Sequence, residues 1–211
     1  MNPDAKMARP APASLMYPLM SIVERLDLAK LFAKAQPLEV ELGAGDGGFL
    51  MEYAKLHPEI NFIGVERLLG RARKIGKKGA RAGLSNLRVV RLEGSYVLKY
   101  LLPPGSVQAA HIYFPDPWPK RRHAERRLIN GAFAEIAAQA LAPGGKIFLR
   151  TDNADYFAQM LQVFAGNGRY RPVEFPSALK SLLTDFEKDF QASGIATLYA
   201  AYELAQAGFL A

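Results

Sequence analysis

A glycine-rich segment and the acidic residues around it are the first part of this sequence that could do chemistry. Gly43, Gly45 and Gly48 satisfy the loose G-x-G-x-x-G pattern, in which glycines allow a tight turn and let a ligand approach the backbone closely. Glu66 follows 18 residues after Gly48, where a carboxylate can hold the two ribose hydroxyls of an adenosine. The spacing predicts an adenosine-containing cofactor, and NAD and S-adenosylmethionine both remain open.

The charges beside the glycines favour S-adenosylmethionine. Glu41 precedes the first glycine, where its carboxylate could meet the cationic end of the ligand. Asp46 takes the place at a helix N-terminus where a dinucleotide's pyrophosphate would lie, and a carboxylate is unfavourable beside phosphate but acceptable near an ammonium or sulfonium. An acid at the end of the third predicted strand can accept the adenine amino group. The predicted cofactor residues are therefore Glu41, Gly43, Gly45, Glu66, Glu93 and Gly94.

A proline-rich run, F-P-D-P-W-P from Phe114 to Pro119, carries a second candidate group, Asp116. The prolines stiffen the loop because each fixes φ near −65°, and a stiff loop holds one carboxylate in place. Trp118 could stack on a base or nucleoside, or it could pack into the core beneath the loop; the sequence leaves both open.

Apolar runs that alternate with amphipathic segments must position these residues. This alternation predicts βαβ units in a Rossmann-like α/β fold, with a mostly parallel seven-stranded sheet, an antiparallel C-terminal edge and helices on both faces. Ligands of such sheets bind at the carboxyl ends of the strands. The predicted strands are Leu38–Leu42, Asn61–Val65, Asn86–Leu92, Val107–Phe114, Lys146–Arg150 and a pair near Tyr170–Phe175 and Ala196–Glu203; the predicted helices are Asp46–Leu56, Leu68–Gly83, Arg126–Leu141 and Ala154–Phe164.

Composition limits the class of protein. The 211 residues include no cysteine, which excludes disulfides, thiolate zinc ligands and a cysteine nucleophile and favours the cytoplasm. No apolar run approaches the ~20 residues that span a membrane. The net charge is +7, and two segments are strongly basic: residues 67–88 hold eight Lys and Arg with no acid, and residues 120–127 hold five with one acid. The two basic segments fit a surface that binds nucleic-acid phosphates, and they equally fit helix faces exposed to solvent. Charge alone does not distinguish these two interpretations.

The segment from Phe114 to Arg127, F-P-D-P-W-P-K-R-R-H-A-E-R-R, resembles the bacterial tRNA guanine-N7 methyltransferases, which modify the variable-loop guanine 46 of tRNA. The resemblance extends over roughly residues 38–203. It implies a single class I methyltransferase domain at residues 38–211. Residues 1–37 show no clear match to the family, and their Pro and Ala content predicts a flexible leader with a possible helix. The further matching motifs are E-L-G-A-G at Glu41, G-V-E at Glu66, P-G-G at Pro143, T-D-N at Thr151 and T-D-F-E at Thr184.

The resemblance also implies roles for individual residues. Asp116 would be the catalytic residue and would contact S-adenosylmethionine together with the three glutamates. Glu93-Gly94 stands where the family usually has Asp-Ala, so the adenine contact is expected to be rearranged. Asp152 could instead cap the following helix, and Thr184 with Glu187 fits a capping box. The implied substrate-binding residues are Lys120, Asp152, Thr184, Asp185, Phe186 and Glu187.

The chemistry of the implied substrate suits acidic groups. Guanine N7 has an in-plane lone pair and no proton, so it can attack a sulfonium methyl without a general base, and carboxylates can accept hydrogen bonds from guanine N1–H and the 2-amino group. No metal is required. The implied partner is tRNA, bound by a monomer or homodimer. The residues predicted to contact tRNA phosphates are Arg121, Arg122, Arg126 and Arg127.

Three other functions remain open at this stage. An S-adenosylmethionine-dependent enzyme could methylate an exocyclic amine of a base instead, since Asp-Pro-Trp loosely resembles the D/N-P-P-aromatic loop of amino-methyltransferases. The glycine pattern also fits a nicotinamide dehydrogenase. A basic protein of this type could bind tRNA without catalysing any transfer.

Overall fold

The computed structural model describes residues 14–205, apart from the side chains of Arg121, Ala124 and Gln191. Its centre is a seven-stranded sheet in the order β3-β2-β1-β4-β5-β7-β6. The first five strands pair in parallel, and β7 runs antiparallel to both β5 and β6. The predicted Rossmann-like fold is confirmed. The strands are β1 Leu38–Leu42, β2 Asn61–Val65, β3 Leu87–Val90, β4 Val107–Tyr113, β5 Leu141–Thr151, β6 Tyr170–Val173 and β7 Leu198–Leu204.

Helices cover both faces of the sheet because successive side chains of its strands point to opposite sides. In β2, for example, Phe62 packs in the cluster that contains α2 and α3, whereas Ile63 packs in the cluster that contains α5 and α6. The helices are α1 Leu28–Leu31, α2 Gly48–Leu56, α3 Leu69–Arg81, α4 Gly94–Tyr96, which continues as a π-helix over Val97–Leu101, α5 Gly131–Ala140, α6 Ala154–Ala165, α7 Ser177–Ser181 and α8 Asp185–Ala192.

β1 and β2 have the predicted bounds, whereas β4 ends one residue early at Tyr113 and β5 extends over Leu141–Thr151 rather than Lys146–Arg150. One helix begins later than predicted. β1 and β2 match because they are short segments, bounded by turn residues, in which all five residues are buried, as in parallel sheets covered by helices. The helix predicted from Arg126 begins only at Gly131. Asn130 ends the extended chain there, since its side chain accepts a hydrogen bond from the backbone N–H of Phe133 at 3.0 Å and so acts as the N-cap. The preceding residues, Arg121–Arg126, form a 3₁₀ helix.

The chain before β1 lies along one margin of the sheet. Met16 pairs in parallel with Val89 of β3, and the backbone N–H of Tyr17 donates to the Val89 carbonyl at 2.8 Å. α3 can pack tightly here because Gly79 has no side chain: a Cβ at that position would lie 2.6 Å from Leu15 Cδ1. The opposite margin is β6, which contains Pro172.

The predicted division into a leader at residues 1–37 and a domain at residues 38–211 stays a prediction. Residues 1–13 and 206–211 lie outside the described residues. Within residues 14–205, no helix combines the length and the apolar character needed to cross a membrane.

Candidate active site

The glycine loop between β1 and α2 is held by Glu66 at the end of β2. Gly43 and Gly45 have φ values of +79° and +55°, in the left-handed region that glycine adopts without strain. One carboxylate oxygen of Glu66 accepts from the Gly45 N–H at 2.9 Å, and the other accepts from the Leu68 N–H at 2.7 Å. Glu66 therefore fixes both the glycine loop and the start of α3.

An open cavity of about 540 Å³ lies at the carboxyl ends of β1 to β4. Six of the seven residues predicted to contact the cofactor line it, among them the predicted catalytic residue Asp116, so one opening brings together groups that are far apart in the sequence. Residues from both basic segments also reach its wall. The predicted residues in the wall are Gly43, Gly45, Glu66, Glu93, Gly94, Asp116, Arg126, Arg127 and Phe186.

Glu41 lies behind the glycine loop, in a smaller space of about 40 Å³ that shares Gly43 and Gly45 with the main cavity. Its side chain is buried, and its Oε2 has no hydrogen-bond partner among the described residues. Burial raises the pKa of Glu41 to about 8, against the opposing effect of the Arg150 guanidinium. A buried carboxyl group without a partner is costly, and a cationic group placed beside it would supply the missing partner.

Glu93 is occupied by a local structural role. Its oxygens accept from the Ser95 N–H at 2.9 Å, from the Tyr96 N–H at 2.8 Å and from the Ser95 hydroxyl at 2.7 Å, so Glu93 is the N-cap of α4. Its predicted contact with adenine would have to share these oxygens or come from the neighbouring backbone.

The proline-rich loop after β4 contains two residues with unusual backbone angles. Phe114 and Trp118 have φ values of +51° and +43°, which cost free energy for residues other than glycine. Between them, Asp116 is exposed and faces the main cavity. Trp118 is half-buried in the cavity wall. The Arg126 guanidinium lies over its ring at 5.2 Å from the centroid, so Trp118 is not packed in the core.

The four arginines predicted to contact phosphates differ in their surroundings. Arg122 and Arg126 are exposed, whereas the side chain of Arg121 lies outside the described residues. Arg127 is buried, and its three guanidinium nitrogens donate to the Pro117 carbonyl, Gln159 and Asp155.

The predicted substrate residues other than Glu187 form two groups. Lys120 and Asp152 are exposed at the carboxyl edge of the sheet but do not line either cavity. The alternative role of Asp152 as a helix cap is wrong, because the side chain of the next residue, Asn153, accepts from the Tyr156 N–H at 2.8 Å and caps α6. In the second group, Thr184 and Asp185 line the smaller space, and Phe186 lines both.

Glu187 forms the predicted capping box with Thr184 at the start of α8. The Thr184 N–H donates to Glu187 Oε2 at 2.8 Å, and the Glu187 N–H donates to Thr184 Oγ1 at 3.1 Å. The Glu187 carboxylate also accepts from Arg150 at 2.7 Å and from the Tyr199 hydroxyl at 3.1 Å. A direct contact between Glu187 and guanine would require one of these bonds to break.

Arg150, at the end of β5, is the main residue that the sequence analysis missed. Its side chain is fully buried, and it donates to Glu187 and to the carbonyls of Leu182 and Leu179. Its guanidinium also lies 4.0 Å from the ring centroid of Tyr113. The only signal in the sequence was a cation at the end of an otherwise apolar strand, K-I-F-L-R, directly before the T-D-N motif.

The basic residues of α3 all face solvent. Arg73, Lys77 and Arg81 recur every four residues and so share one face of the helix. Lys74 is paired with Asp46 at 2.5 Å. Arg67 and Arg71 line the main cavity near the start of the helix, which makes the exposed face of α3 continuous with the mouth of the site.

Comparisons with known proteins identify the family of this chain. A family described as "Putative methyltransferase" matches residues 35–198. Three relatives bear the name tRNA (guanine-N(7)-)-methyltransferase. The protein of Myxococcus xanthus is 40% identical over 67% of this chain and 69% of its own length. That of Thiobacillus denitrificans is 44% identical over 66% and 62%, and that of Sodalis glossinidius is 37% identical over 80% and 73%. The chain thus spans about two thirds of these relatives' lengths.

Solved structures are similar in fold at low sequence identity. The 16S rRNA methyltransferase KamB has a TM-score of 0.62 and 17% identity, and the similarity covers 84% of this chain and 92% of that chain. An rRNA methylase from Streptococcus thermophilus has a TM-score of 0.54 and 14% identity over 81% and 88%. These similarities establish the architecture alone.

Proposed function

The chain belongs to the tRNA (guanine-N(7)-)-methyltransferase family, and from this premise we propose that it transfers a methyl group from S-adenosylmethionine to N7 of guanine 46 in the variable loop of tRNA. One observation carries the proposal. Glu66 and Asp116 face a single cavity with the glycine loop, and directly behind that loop lies Glu41, a buried carboxyl group that lacks a partner among the described residues.

The residues around the glycine loop fit S-adenosylmethionine. Glu41 would accept from the ammonium of its methionine part, which would supply the partner that Oε2 lacks. At Gly43 a Cβ would meet no atom within 4 Å, so the ligand can approach the backbone there. Glu66 would hold the ribose hydroxyls through lone pairs not used by its backbone bonds, and the Glu93-Gly94 turn would border the adenine.

S-adenosylmethionine, when bound, supplies an electrophilic methyl group. The lone pair of guanine N7 forms the new N–C bond as the methyl–sulfur bond breaks, and no proton is transferred. The protein must therefore hold the guanine in line and stabilise positive charge as it moves onto the ring. Asp116 would perform both tasks, and the exposure of its carboxylate at the cavity, on a proline-rich loop, supports this role. Asp152 and Lys120, at the same sheet edge, would contact the guanine or its nucleotide.

The T-D-F-E segment forms the far side of the proposed guanine site. Phe186 is exposed and lines both cavities, so its ring can stack on a base. Glu187 would act mainly through the helix start that it stabilises, and Thr184 and Asp185 would border the substrate near the glycine loop. The guanine must leave its stack to enter, which costs a few kcal/mol.

The tRNA backbone would follow the basic surfaces on both sides of the opening. Arg122 and Arg126 lie on one side, and the exposed face of α3 lies on the other. Cations that neutralise phosphates release counterions, so binding through these surfaces should weaken steeply with salt. We further propose that the protein acts in the cytoplasm as a monomer or homodimer and without a metal.

Methyl transfer to unmodified tRNA tests this function. The protein is incubated with labelled S-adenosylmethionine and tRNA, and the product is treated with borohydride and aniline, which cleave the chain at 7-methylguanosine. We expect label at guanine 46 and cleavage at that position. Asp116→Asn should reduce turnover about 100-fold or more while leaving the fold and tRNA binding mostly intact, whereas Asp189→Asn, an exposed carboxylate on α8, should behave as wild type.

Two outcomes would contradict the proposal. Label that resists aniline cleavage would indicate methylation of an exocyclic amine. Binding of tRNA with no label would indicate a binding protein without transferase activity.

A further inference from the structure

The loop that carries Asp116 needs an external support. Its backbone is in the left-handed region at both Phe114 and Trp118, with φ values of +51° and +43°. Bulky residues are held in such conformations only where the surrounding structure enforces them. The Phe114 N–H donates to the Arg150 carbonyl at 2.8 Å, which holds the start of the loop. Pro117, between Asp116 and Trp118, has no N–H to donate, so its own backbone can be held only through its carbonyl.

Arg127 supplies that support from ten residues further along the chain. Its Nε donates to the Pro117 carbonyl at 2.7 Å, its Nη1 donates to Gln159 Oε1 at 2.8 Å, and its Nη2 donates to Asp155 Oδ2 at 2.5 Å. Gln159 and Asp155 both belong to α6. The planar guanidinium, with several donors in a fixed arrangement, thus joins the loop to a helix of the domain.

The guanidinium of Arg127 is enclosed as well as bonded. Only 5% of the side chain is exposed, and the guanidinium lies over the Tyr156 ring at 5.0 Å from the centroid. The Tyr156 hydroxyl in turn accepts from the Ile129 N–H at 2.8 Å. Each nitrogen of Arg127 already has a protein acceptor, so a phosphate would have to displace one of them.

We propose that Arg127 is a positioning residue for the transfer reaction: it clamps the Pro117 carbonyl to α6 and so sets the place of the Asp116 carboxylate at the cavity. This inference rests on the proposed function, and it replaces the phosphate contact expected for Arg127. Arg122, five residues earlier, is exposed and keeps the phosphate role.

The test compares Arg127→Ala with Arg122→Ala. Arg127→Ala should lower kcat about 100-fold at saturating tRNA, since a misplacement of about 1 Å at a reacting group can have that effect, and it should leave the salt dependence of tRNA binding unchanged. Arg122→Ala should instead weaken tRNA binding and lower the slope of log affinity against log salt by about 0.7–0.9. The control for kcat is Asp189→Asn, an exposed carboxylate on α8, in which kcat should stay near wild type.

The protein offers a direct optical readout of the loop. Trp118 is the only tryptophan and is adjacent to Pro117, so its fluorescence reports on the clamp without any tRNA or methyl donor. Arg127→Ala should shift the emission to longer wavelength and increase quenching by acrylamide, while Arg122→Ala should leave both unchanged. This readout keeps the clamp testable even if the substrate is not the one proposed.

Two milder variants distinguish a positioning role of Arg127 from a general loss of folding in Arg127→Ala. Arg127→Lys can still donate to the Pro117 carbonyl and should recover part of kcat, and Asp155→Asn keeps an acceptor oxygen and should lose little. The proposal is overturned if Arg127→Ala flattens the salt slope as Arg122→Ala does, or if it leaves both kcat and the Trp118 emission unchanged. If wild-type protein transfers no methyl group while the Trp118 emission still shifts, the clamp stands and the proposed function fails.

Discussion

Charged residues are used in two different ways in two regions of this molecule. In what we call the bonded region, the surroundings of Arg127 and Arg150, both side chains are buried. All their guanidinium nitrogens except Arg150 Nε donate to Asp155, Gln159, Glu187 or backbone carbonyls. On the side of the glycine loop and α3, which we call the open region, the Glu41 carboxyl has an oxygen without a partner among residues 14–205, and most basic side chains of α3 face solvent.

The difference shows that residue type and spacing do not reveal whether a charged side chain stabilises the fold or is available to bind a ligand. Arg126 and Arg127 are neighbours in one basic motif, yet the first is exposed and the second is bonded on three nitrogens. Substitutions in the bonded region should therefore change the free energy of unfolding. Substitutions in the open region should change ligand binding and leave the fold intact or more stable.

The largest expected effect is in the bonded region. Glu187→Ala would leave the Arg150 guanidinium without its carboxylate partner in a fully buried site and would remove the acceptor for the Thr184 N–H. Breaking a buried ion pair in this way costs about 3–5 kcal/mol. Urea denaturation should show that loss, whereas Asp189→Ala, two residues later on the exposed face of α8, should change the free energy of unfolding by less than about 0.5 kcal/mol. Equal free energies of unfolding for the two variants would contradict the distinction between the bonded and the open region.

Replacing Glu41 by Gln should increase the free energy of unfolding at pH 8, whereas Glu187→Ala should decrease it. Burial first, and then the charges of Asp185 and Glu66, raise its pKa to about 8 from 4.5, while Arg150 lowers it. The folded protein therefore holds a proton that the unfolded chain releases, so the free energy of unfolding should fall as pH rises from about 4.5 to about 8. Glu41→Gln should remove that fall, measured by urea denaturation at several pH values. Glu52→Gln, an exposed position on α2, should keep it.

The same variant separates stability from binding. A cationic ligand favours the ionised carboxylate, so the affinity of wild-type protein for S-adenosylmethionine should rise with pH up to about 8. In Glu41→Gln that rise should be absent, although the variant is the more stable protein at pH 8. An affinity that rises with pH equally in both proteins would remove Glu41 from the methyl-donor site.

The smallest expected effect concerns α3. Replacing Arg73, Lys77 and Arg81 together by Gln should weaken tRNA binding about tenfold near physiological salt and lower the salt slope by about 2, with unfolding unchanged. The matched control replaces Lys30, Lys34 and Lys55, exposed residues at the opposite, amino-terminal edge of the sheet, and so removes the same charge. Filter binding over a range of salt concentrations measures both. Identical slopes for the two variants would mean that only the net charge matters.

The sequence predicted the architecture and the place of the site because these follow from local patterns. The bounds of β1 and β2 match, and the glycines, Glu66 and Asp116 meet at one edge because the carboxyl ends of parallel strands do so in any fold of this class. The bonded region could not be predicted in the same way. The pairing of Arg150 with Glu187 joins residues 37 positions apart, and neither the depth of burial nor the partner of an arginine is encoded in its neighbours.

The margins of the sheet bear on how the protein behaves at high concentration. An unpaired outer strand is a template for strand addition between molecules, and proteins protect such strands by covering them or by placing proline there. Here Met16 and Tyr17 occupy the free side of β3 at Val89, and Pro172 interrupts the donor row of β6. In the part of the chain that the structure describes, both outer strands are therefore protected against pairing with a strand of another molecule. We expect the sheet to resist edge-to-edge aggregation, and the segment around Met16 contributes to that resistance as well as extending the fold.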